Sequence, residues 1–242
     1  MTALHLVDEG EAADLAAFLA RLIHYDRAAA VRLQASGTTL AVFGRPPSFE
    51  VLAIRTARLA KPYEDGLDLV LDVTVSAGEL LEALDEPAAT AAVPAAVTGP
   101  PWAGVLPPRG GWRPEPGLPA LDAVRTTVAA VVAEFRSRID ALAPEGRTRS
   151  ALDGIGREIW SRPVGDTALP VRAAHAAQSL GFLRPARTTT SATSATAVTS
   201  AAPDNDAVLR LLSSGAWLRL RTPYGSIAVR RAGLGALDVS VR

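Results

Sequence analysis

The chain has 242 residues but no cysteine, one lysine, one asparagine and only 5 % aromatic residues. The absence of cysteine excludes disulfides, iron–sulfur clusters, thiolate zinc sites and a cysteine nucleophile. Because 24 of the 25 basic residues are arginine, an arginine at any one position is weak support for phosphate or carboxylate recognition. The composition therefore excludes several kinds of site but does not identify an activity.

The chain has no excess charge of either sign, since it contains 25 basic and 25 acidic residues. This balance argues against a protein that binds nucleic acid over its whole surface or coats an anionic membrane. The total conceals a split, because residues 1–121 have 9 basic and 15 acidic side chains whereas residues 122–242 have 16 and 10. A basic surface confined to the C-terminal half is therefore compatible with the composition.

Long apolar segments are lacking as well. No uncharged apolar run reaches about 18 residues, the length that a membrane-spanning helix needs. Acidic residues precede any basic residue at the N-terminus, which differs from a secretory signal. We therefore expect a cytoplasmic protein that makes no membrane contact.

Residues 1–86 have the pattern of a compact α+β unit. Apolar residues recur every three to four positions over residues 8–26, as on the buried face of a helix. Residues 76–79 (SAGE) form a capping box that begins a second helix. Alternating apolar and polar residues predict four antiparallel strands, over residues 31–35, 40–43, 51–59 and 67–75. We predict an antiparallel sheet with flanking helices.

Residues 87–119 are rich in proline and glycine, and seven of the eighteen prolines lie between positions 100 and 119. Regular structure is not expected there. The segment nevertheless contains Trp102 and Trp112, for which a flexible linker has little use. We predict an ordered loop whose tryptophans dock on the core or on a partner, and we assign partner binding to Trp102, Trp112 and Arg109.

The second half is predicted to be helical first and to end in a β-hairpin, so the fold class is α+β. Residues 120–183 contain helical patterns, residues 184–206 are a mobile Thr/Ser/Ala-rich segment, and residues 207–242 form a short helix and the hairpin. The hairpin resembles residues 31–42 at a constant offset of 187 residues. This similarity is compatible with a duplication and with one sheet shared by both hairpins.

The sequence contains no catalytic signature, and neither a cofactor nor a metal ion is predicted. His5, His24 and His175 lack metal-ligand spacing. Asp68 and Asp72 share a strand face, but the rise of a strand separates them by roughly 13 Å, too far for one cation. We assign no catalytic residues.

Two other functions are compatible with the C-terminal half. An enzyme could use a pocket that gathers His175, Arg172 and Glu158. A DNA-associated regulator is the stronger alternative, because three helices followed by a hairpin is the element order of a winged helix. The residues that would contact nucleic acid are Arg219, Arg221, Arg230 and Arg231.

Three segments resemble a conserved protein family that is restricted to actinobacteria and has no assigned function. They are residues 107–112 (PPRGGW), 158–163 (EIWSRP) and 172–183 (RAAHAAQSLGFL). None of them is a known catalytic signature, so the resemblance implies lineage but no activity. Our leading hypothesis is therefore a non-enzymatic protein-binding or scaffold protein whose protein partner is not identified by the sequence.

Overall fold

The computed structural model describes residues 3–65, 70–185 and 209–231. The helices are α1 (Glu9–Tyr25), α2 (Ala77–Glu82), α3 (Leu121–Asp140), α4 (Arg149–Trp160) and α5 (Val171–Ser179), with short 3-10 turns at Pro101–Gly104 and Pro144–Gly146. The strands are β1 (Ala3–His5), β2 (Ala30–Ser36), β3 (Thr39–Gly44), β4 (Leu52–Arg58), β5 (Val70–Ser76), β6 (Leu84–Asp85), β7 (Thr90–Ala92), β8 (Arg113–Glu115), β9 (Arg210–Ser214), β10 (Trp217–Thr222) and β11 (Gly225–Arg230).

Eight of these strands form one antiparallel sheet in the order β5-β2-β3-β4-β11-β10-β9-β8. Strands β2 to β5 come from the first third of the chain, β8 comes from residues 113–115, and β9 to β11 come from residues 210–230. The two groups meet at the centre of the sheet, where β4 pairs with β11 and Ile54 lies opposite Ser226. Strands β1, β7 and β6 form a separate three-stranded sheet.

Helix α1 forms where its local sequence favours a helix. The side chain of Asp8 caps the helix, because its Oδ1 accepts a hydrogen bond from the N–H of Glu11 at 2.8 Å. Leu15, Phe18 and Leu22 recur at helical spacing and are buried. They pack the helix against the sheet, where α1 contacts β4.

The two faces of the large sheet have different coverings because successive side chains of a strand point to opposite sides. On the first, which we call the helical face, Leu33 and Leu220 join the main core that the helices complete. On the opposite side, which we call the second face, lies a smaller apolar cluster. Its buried members are Phe43, Leu52, Ile54 and Ala228.

Helices α3, α4 and α5 pack against one another, and α5 also lies on β11. Ion pairs join α3 to α4, since Glu158 accepts hydrogen bonds from Arg138 at 2.8 Å and from Arg162 at 2.9 Å. These hydrogen bonds lower the pKa of Glu158 to about 2. Because the carboxyl group is solvent-exposed, the ion pairs orient the helices more than they stabilise the fold.

The predicted α+β class is confirmed, but the short helix predicted at the start of residues 207–242 is wrong. Residues Arg210–Ser214 form strand β9, which pairs with both β8 and β10. Leu211 is buried in the main core, whereas its neighbour Leu212 lies opposite Arg219 of β10. Two adjacent leucines suit a strand with both faces covered as well as they suit a helix, and pairing with distant strands decides between them.

Residues 87–119 contain more regular structure than predicted, namely β7, one 3-10 turn and β8. The short strands form because other strands offer pairing partners, as when Arg113 lies opposite Ser213. Asp68 and the predicted mobile segment beyond Pro185 lie outside the described residues. In the part of the chain that the structure describes, no helix has both the length and the apolar character required to cross a bilayer.

Candidate functional site

Residues 97–112, which we call the arm, cross the second face of the sheet. The guanidinium of Arg32 donates a hydrogen bond to the carbonyl of Ala103, which fixes the middle of the arm to β2. Trp102 and Leu106 pack against the apolar cluster of the second face. Four prolines restrict the backbone of the arm, so fixing it on the sheet costs less conformational entropy than it would for a flexible loop.

The arginine that holds the arm is itself held by Asp72 on β5. Nε and Nη2 of Arg32 donate to the two carboxylate oxygens of Asp72 at 2.7 and 2.9 Å, and Gln34 adds a hydrogen bond at 3.0 Å. The hydrogen bonds from Arg32 lower the pKa of Asp72. Asp72 therefore acts as an ion-pair partner on the second face.

Two grooves lie between the arm and the sheet. The first, which we call the Arg219 groove, has a volume of about 410 Å³ and includes Phe43, Ile54, Arg109 and Arg219 in its lining. The second, which we call the Trp102 groove, has a volume of about 450 Å³. Both volumes fall in the lower part of the range that small-ligand sites occupy.

Arg219 differs from the other arginines whose Nε is buried without a hydrogen-bond partner. Those arginines each pair with a carboxylate, and they are Arg55, Arg172, Arg184 and Arg231. Arg219 pairs with no carboxylate of the described residues, and its guanidinium carbon lies 5.7 Å from the ring centroid of Trp112. Burial and the neighbouring charge of Arg221 lower the pKa of Arg219. Its positive charge is thus partly desolvated and not neutralised by the described chain.

This arrangement predicts that Arg219 reduces stability. We expect Arg219→Met to raise the free energy of unfolding by about 1 kcal/mol, because it removes an unpaired cation and keeps the apolar part of the side chain. Urea unfolding followed by far-UV circular dichroism measures the difference. Arg136→Met removes an exposed arginine of α3 and should change the value by less than about 0.5 kcal/mol. A loss of stability in Arg219→Met would mean that its contact with Trp112 outweighs the cost of burial.

The Trp102 groove has an apolar interior that is open to solvent. Leu52 and Ala228 belong to its lining, and Trp102 and Trp217 flank them. Both tryptophans are only half-buried, and 47 % of Val105 is exposed. The interior therefore presents aromatic and aliphatic surface that no described residue covers.

The rim of the Trp102 groove is mainly positive. Among the described residues, Arg45, Arg172 and Arg230 line it together with one acid, Glu50. Arg172 lies 3.9 Å from Glu50, and the guanidinium of Arg230 lies 5.3 Å from the ring centroid of Trp217. The groove therefore combines an apolar interior with an excess of two positive charges.

Of the three residues predicted to bind a partner, two line different grooves and the third lines neither. Trp102 lines the Trp102 groove and Arg109 lines the Arg219 groove. Trp112 lies beside Arg219, and its Nε1 donates to the carbonyl of Pro108 at 3.0 Å. Sequence reasoning missed Trp217, although the alternation of β10 places Trp217 and Arg219 on one face and the buried leucines on the other.

The arginines predicted to contact DNA do not lie on a wing. Hairpin β10–β11 has β9 on one side and β4 on the other, so it lies inside the sheet and cannot extend over a phosphate backbone as a wing does. Arg231 pairs with Glu115, and Arg219 and Arg230 line the two grooves. The winged-helix interpretation is wrong, whereas nucleic-acid contact by the four arginines stays a prediction; they are Arg219, Arg221, Arg230 and Arg231.

His175, Arg172 and Glu158, the residues of the enzyme alternative, do not form one site. The ring of His175 stacks on Trp160 with centroids 4.8 Å apart, and burial lowers its pKa. Arg172 lines the Trp102 groove, and Glu158 belongs to the ion pairs between α3 and α4. No group of three or more His, Cys, Asp or Glu among the described residues could hold a metal ion.

Fold and grooves together define an α+β protein that has helices on one face of an antiparallel sheet and two arginine-lined grooves under an arm on the other. The chain belongs to the family described as Domain of unknown function (DUF8185), which matches residues 107–234. Residues 1–104 match a second family, Domain of unknown function (DUF8010). No curated protein and no solved structure matches the chain. The prediction of a family without assigned function is confirmed.

The boundary between the two family segments falls within the arm, but the sheet does not stop there. Strand β4 belongs to the first segment and its neighbour β11 to the second. Both grooves also take residues from the two segments, as Phe43 and Arg219 show in one of them. The candidate sites are therefore complete only when both segments are present.

Proposed function

We propose that the protein is a non-enzymatic binding protein that docks a short acidic segment of a partner protein in the Trp102 groove. The observation that carries this proposal is the combination of Trp102, Trp217 and exposed Val105 inside a rim that has three arginines and one acid. Tryptophan and arginine are enriched among the residues that contribute most to protein–protein binding. An exposed apolar surface in a concave setting is typical of such sites.

The size and charge of the groove favour a particular kind of segment. A volume of about 450 Å³ is enough for one or two large apolar side chains of a peptide. Aspartate or glutamate on either side of such an anchor could pair with Arg45 and Arg230. Charge complementarity of this kind speeds association and selects against basic partners.

A peptide-display selection on the wild-type protein tests the proposal. We expect it to enrich sequences in which an apolar residue is flanked by acidic ones, and fluorescence polarisation then gives their affinities. Val105→Asp should weaken binding at least about tenfold, because it places a negative charge inside the groove. It should leave the melting temperature nearly unchanged, since Val105 is 47 % exposed.

Charge variants provide the control. Arg230→Glu should lower the affinity for the same peptides by about tenfold, while Arg136→Glu on α3 should leave the affinity unchanged. Enrichment of sequences without acidic residues, or affinities that Val105→Asp does not change, would contradict the proposal. Binding of duplex DNA that weakens steeply with salt would point to the nucleic-acid alternative.

A further inference from the structure

We propose that the Arg219 groove is a second and separate binding site, which takes a small organic carboxylate with an apolar body. The first observation concerns charge. Arg109 and Arg219 line this groove, and none of the described residues in its lining is an aspartate or glutamate. Arg219 also pairs with no carboxylate of the described residues. A buried cation without a partner is costly, and an anionic ligand would supply the missing partner.

The carboxylate of Asp72 on the second face is bound by Arg32, and the positive charge of Arg109 also contributes to the lowered pKa of Asp72. Asp72 already accepts two hydrogen bonds from Arg32 and one from Gln34. Its carboxylate oxygens are therefore engaged in the contact that fixes the arm. The described lining has two arginines and no acid. This positive charge suits one carboxylate better than a polyphosphate, which would need more cations.

The second observation concerns the rest of the lining. Phe43 and Ile54 from the sheet and Leu106 from the arm give the groove an apolar part, and Thr39 and Thr56 belong to the same lining. The volume of about 410 Å³ suits a ligand in the smaller range of bound organic molecules. The lining therefore offers apolar contact for a hydrocarbon or aromatic body besides the cations for its carboxylate.

The two walls of the groove come from different parts of the chain. Arg109 belongs to the arm, and Arg219 belongs to β10 of the sheet. A carboxylate that contacts both would join the arm to the sheet. This site uses other residues than the Trp102 groove does, so it can be tested without any peptide partner.

Isothermal titration calorimetry with benzoate, benzamide and inorganic phosphate on the full chain tests the proposal. Benzoate has the carboxylate and an apolar ring, benzamide lacks the charge, and phosphate lacks the apolar body. We expect benzoate to bind at least about tenfold more tightly than either of the others. Arg219→Met, which is expected to fold at least as stably as the wild type, should weaken benzoate by about tenfold or more.

Three variants distinguish this groove from the rest of the surface. Arg109→Met should weaken benzoate severalfold, whereas Arg230→Met in the Trp102 groove and Arg136→Met on α3 should leave its affinity within about twofold. Equal affinities for benzoate and benzamide would overturn the proposal, as would unchanged affinity in Arg219→Met. If phosphate bound as tightly as benzoate, the claim that the ligand has an apolar body would be overturned. If benzoate did not bind, the whole proposal would be overturned.

Discussion

Replacing Arg55 with methionine is expected to lower the free energy of unfolding by about 3 kcal/mol. Arg55 is one of the few charged side chains in the interior, and only 6 % of its side chain is exposed. Its Nη2 lies 2.8 Å from Glu11 and 3.6 Å from Asp14, and its Nη1 donates to the carbonyl of Tyr224 at 3.2 Å. Loss of the guanidinium would leave two poorly solvated carboxylates close together.

Arg58 provides a matched control for this prediction. It lies on the same strand and pairs with the same carboxylate, since its Nε is 3.0 Å from Glu11, but 69 % of its side chain is exposed. Because exposed ion pairs contribute little, Arg58→Met should cost less than about 1 kcal/mol. Urea unfolding of both variants gives the comparison. Equal losses would mean that burial does not determine the strength of these pairs.

The ion pairs around Arg55 also join the two family segments. Arg55, Glu11 and Asp14 belong to the first segment, whereas Tyr224 and Arg184, which pairs with Asp14, belong to the second. The guanidinium of Arg184 lies 3.7 Å over the ring of Tyr224. We therefore expect the wild-type protein to unfold in one transition, because the ion pair of Arg184 with Asp14 and the hydrogen bond from Arg55 to the carbonyl of Tyr224 need both segments.

The elements that could be predicted from the sequence are those that local patterns determine. The helical spacing of Leu15, Phe18 and Leu22 predicted α1, and the alternation of Leu71, Val73 and Val75 predicted β5. Both patterns can be recognised within a short stretch of sequence, because each only requires that one face of the element is buried. The α+β class followed from such elements taken together.

Pairing between distant strands could not be predicted in the same way. Ser226 lies opposite Ile54 although 172 residues separate them, and no local pattern specifies that register. The misassigned strand β9 has the same cause, because its identity as a strand depends on pairing with β8 and β10. Contacts between residues so far apart in the sequence depend on the whole fold.

The candidate sites could likewise be predicted only in part from the sequence. Trp102 could be singled out because aromatic residues are unusual in a proline-rich segment, and Arg109 lies in the same segment. Their groove neighbours Trp217 and Arg219 come from β10, more than a hundred residues further along the chain. The sequence places Trp217 and two arginines on one face of β10, but it does not show that the arm lies across that face. The grooves therefore follow from the tertiary structure alone.

Replacing Gly225 with alanine is expected to destabilise the protein by about 3 kcal/mol, through two effects that add. The backbone of Gly225 has φ +155°, which residues with a Cβ rarely adopt. A Cβ there would lie 2.6 Å from Cζ of Phe182 and 2.8 Å from two further ring carbons. Phe182 cannot move away freely, because its ring stacks on Phe18 of α1 with centroids 5.7 Å apart.

A second glycine and a double variant separate the two effects. Gly215 has φ +54° and nothing within 4 Å of an added Cβ, so Gly215→Ala should cost only about 1 kcal/mol of backbone strain. Combining Gly225→Ala with Phe182→Leu should cost less than the sum of the single variants, because the smaller side chain relieves the overlap. Strict additivity in urea unfolding would show that strain alone explains the loss. A favourable coupling would show that α1, the residues after α5 and the start of β11 pack as one unit. This packing holds the two family segments together on the helical face.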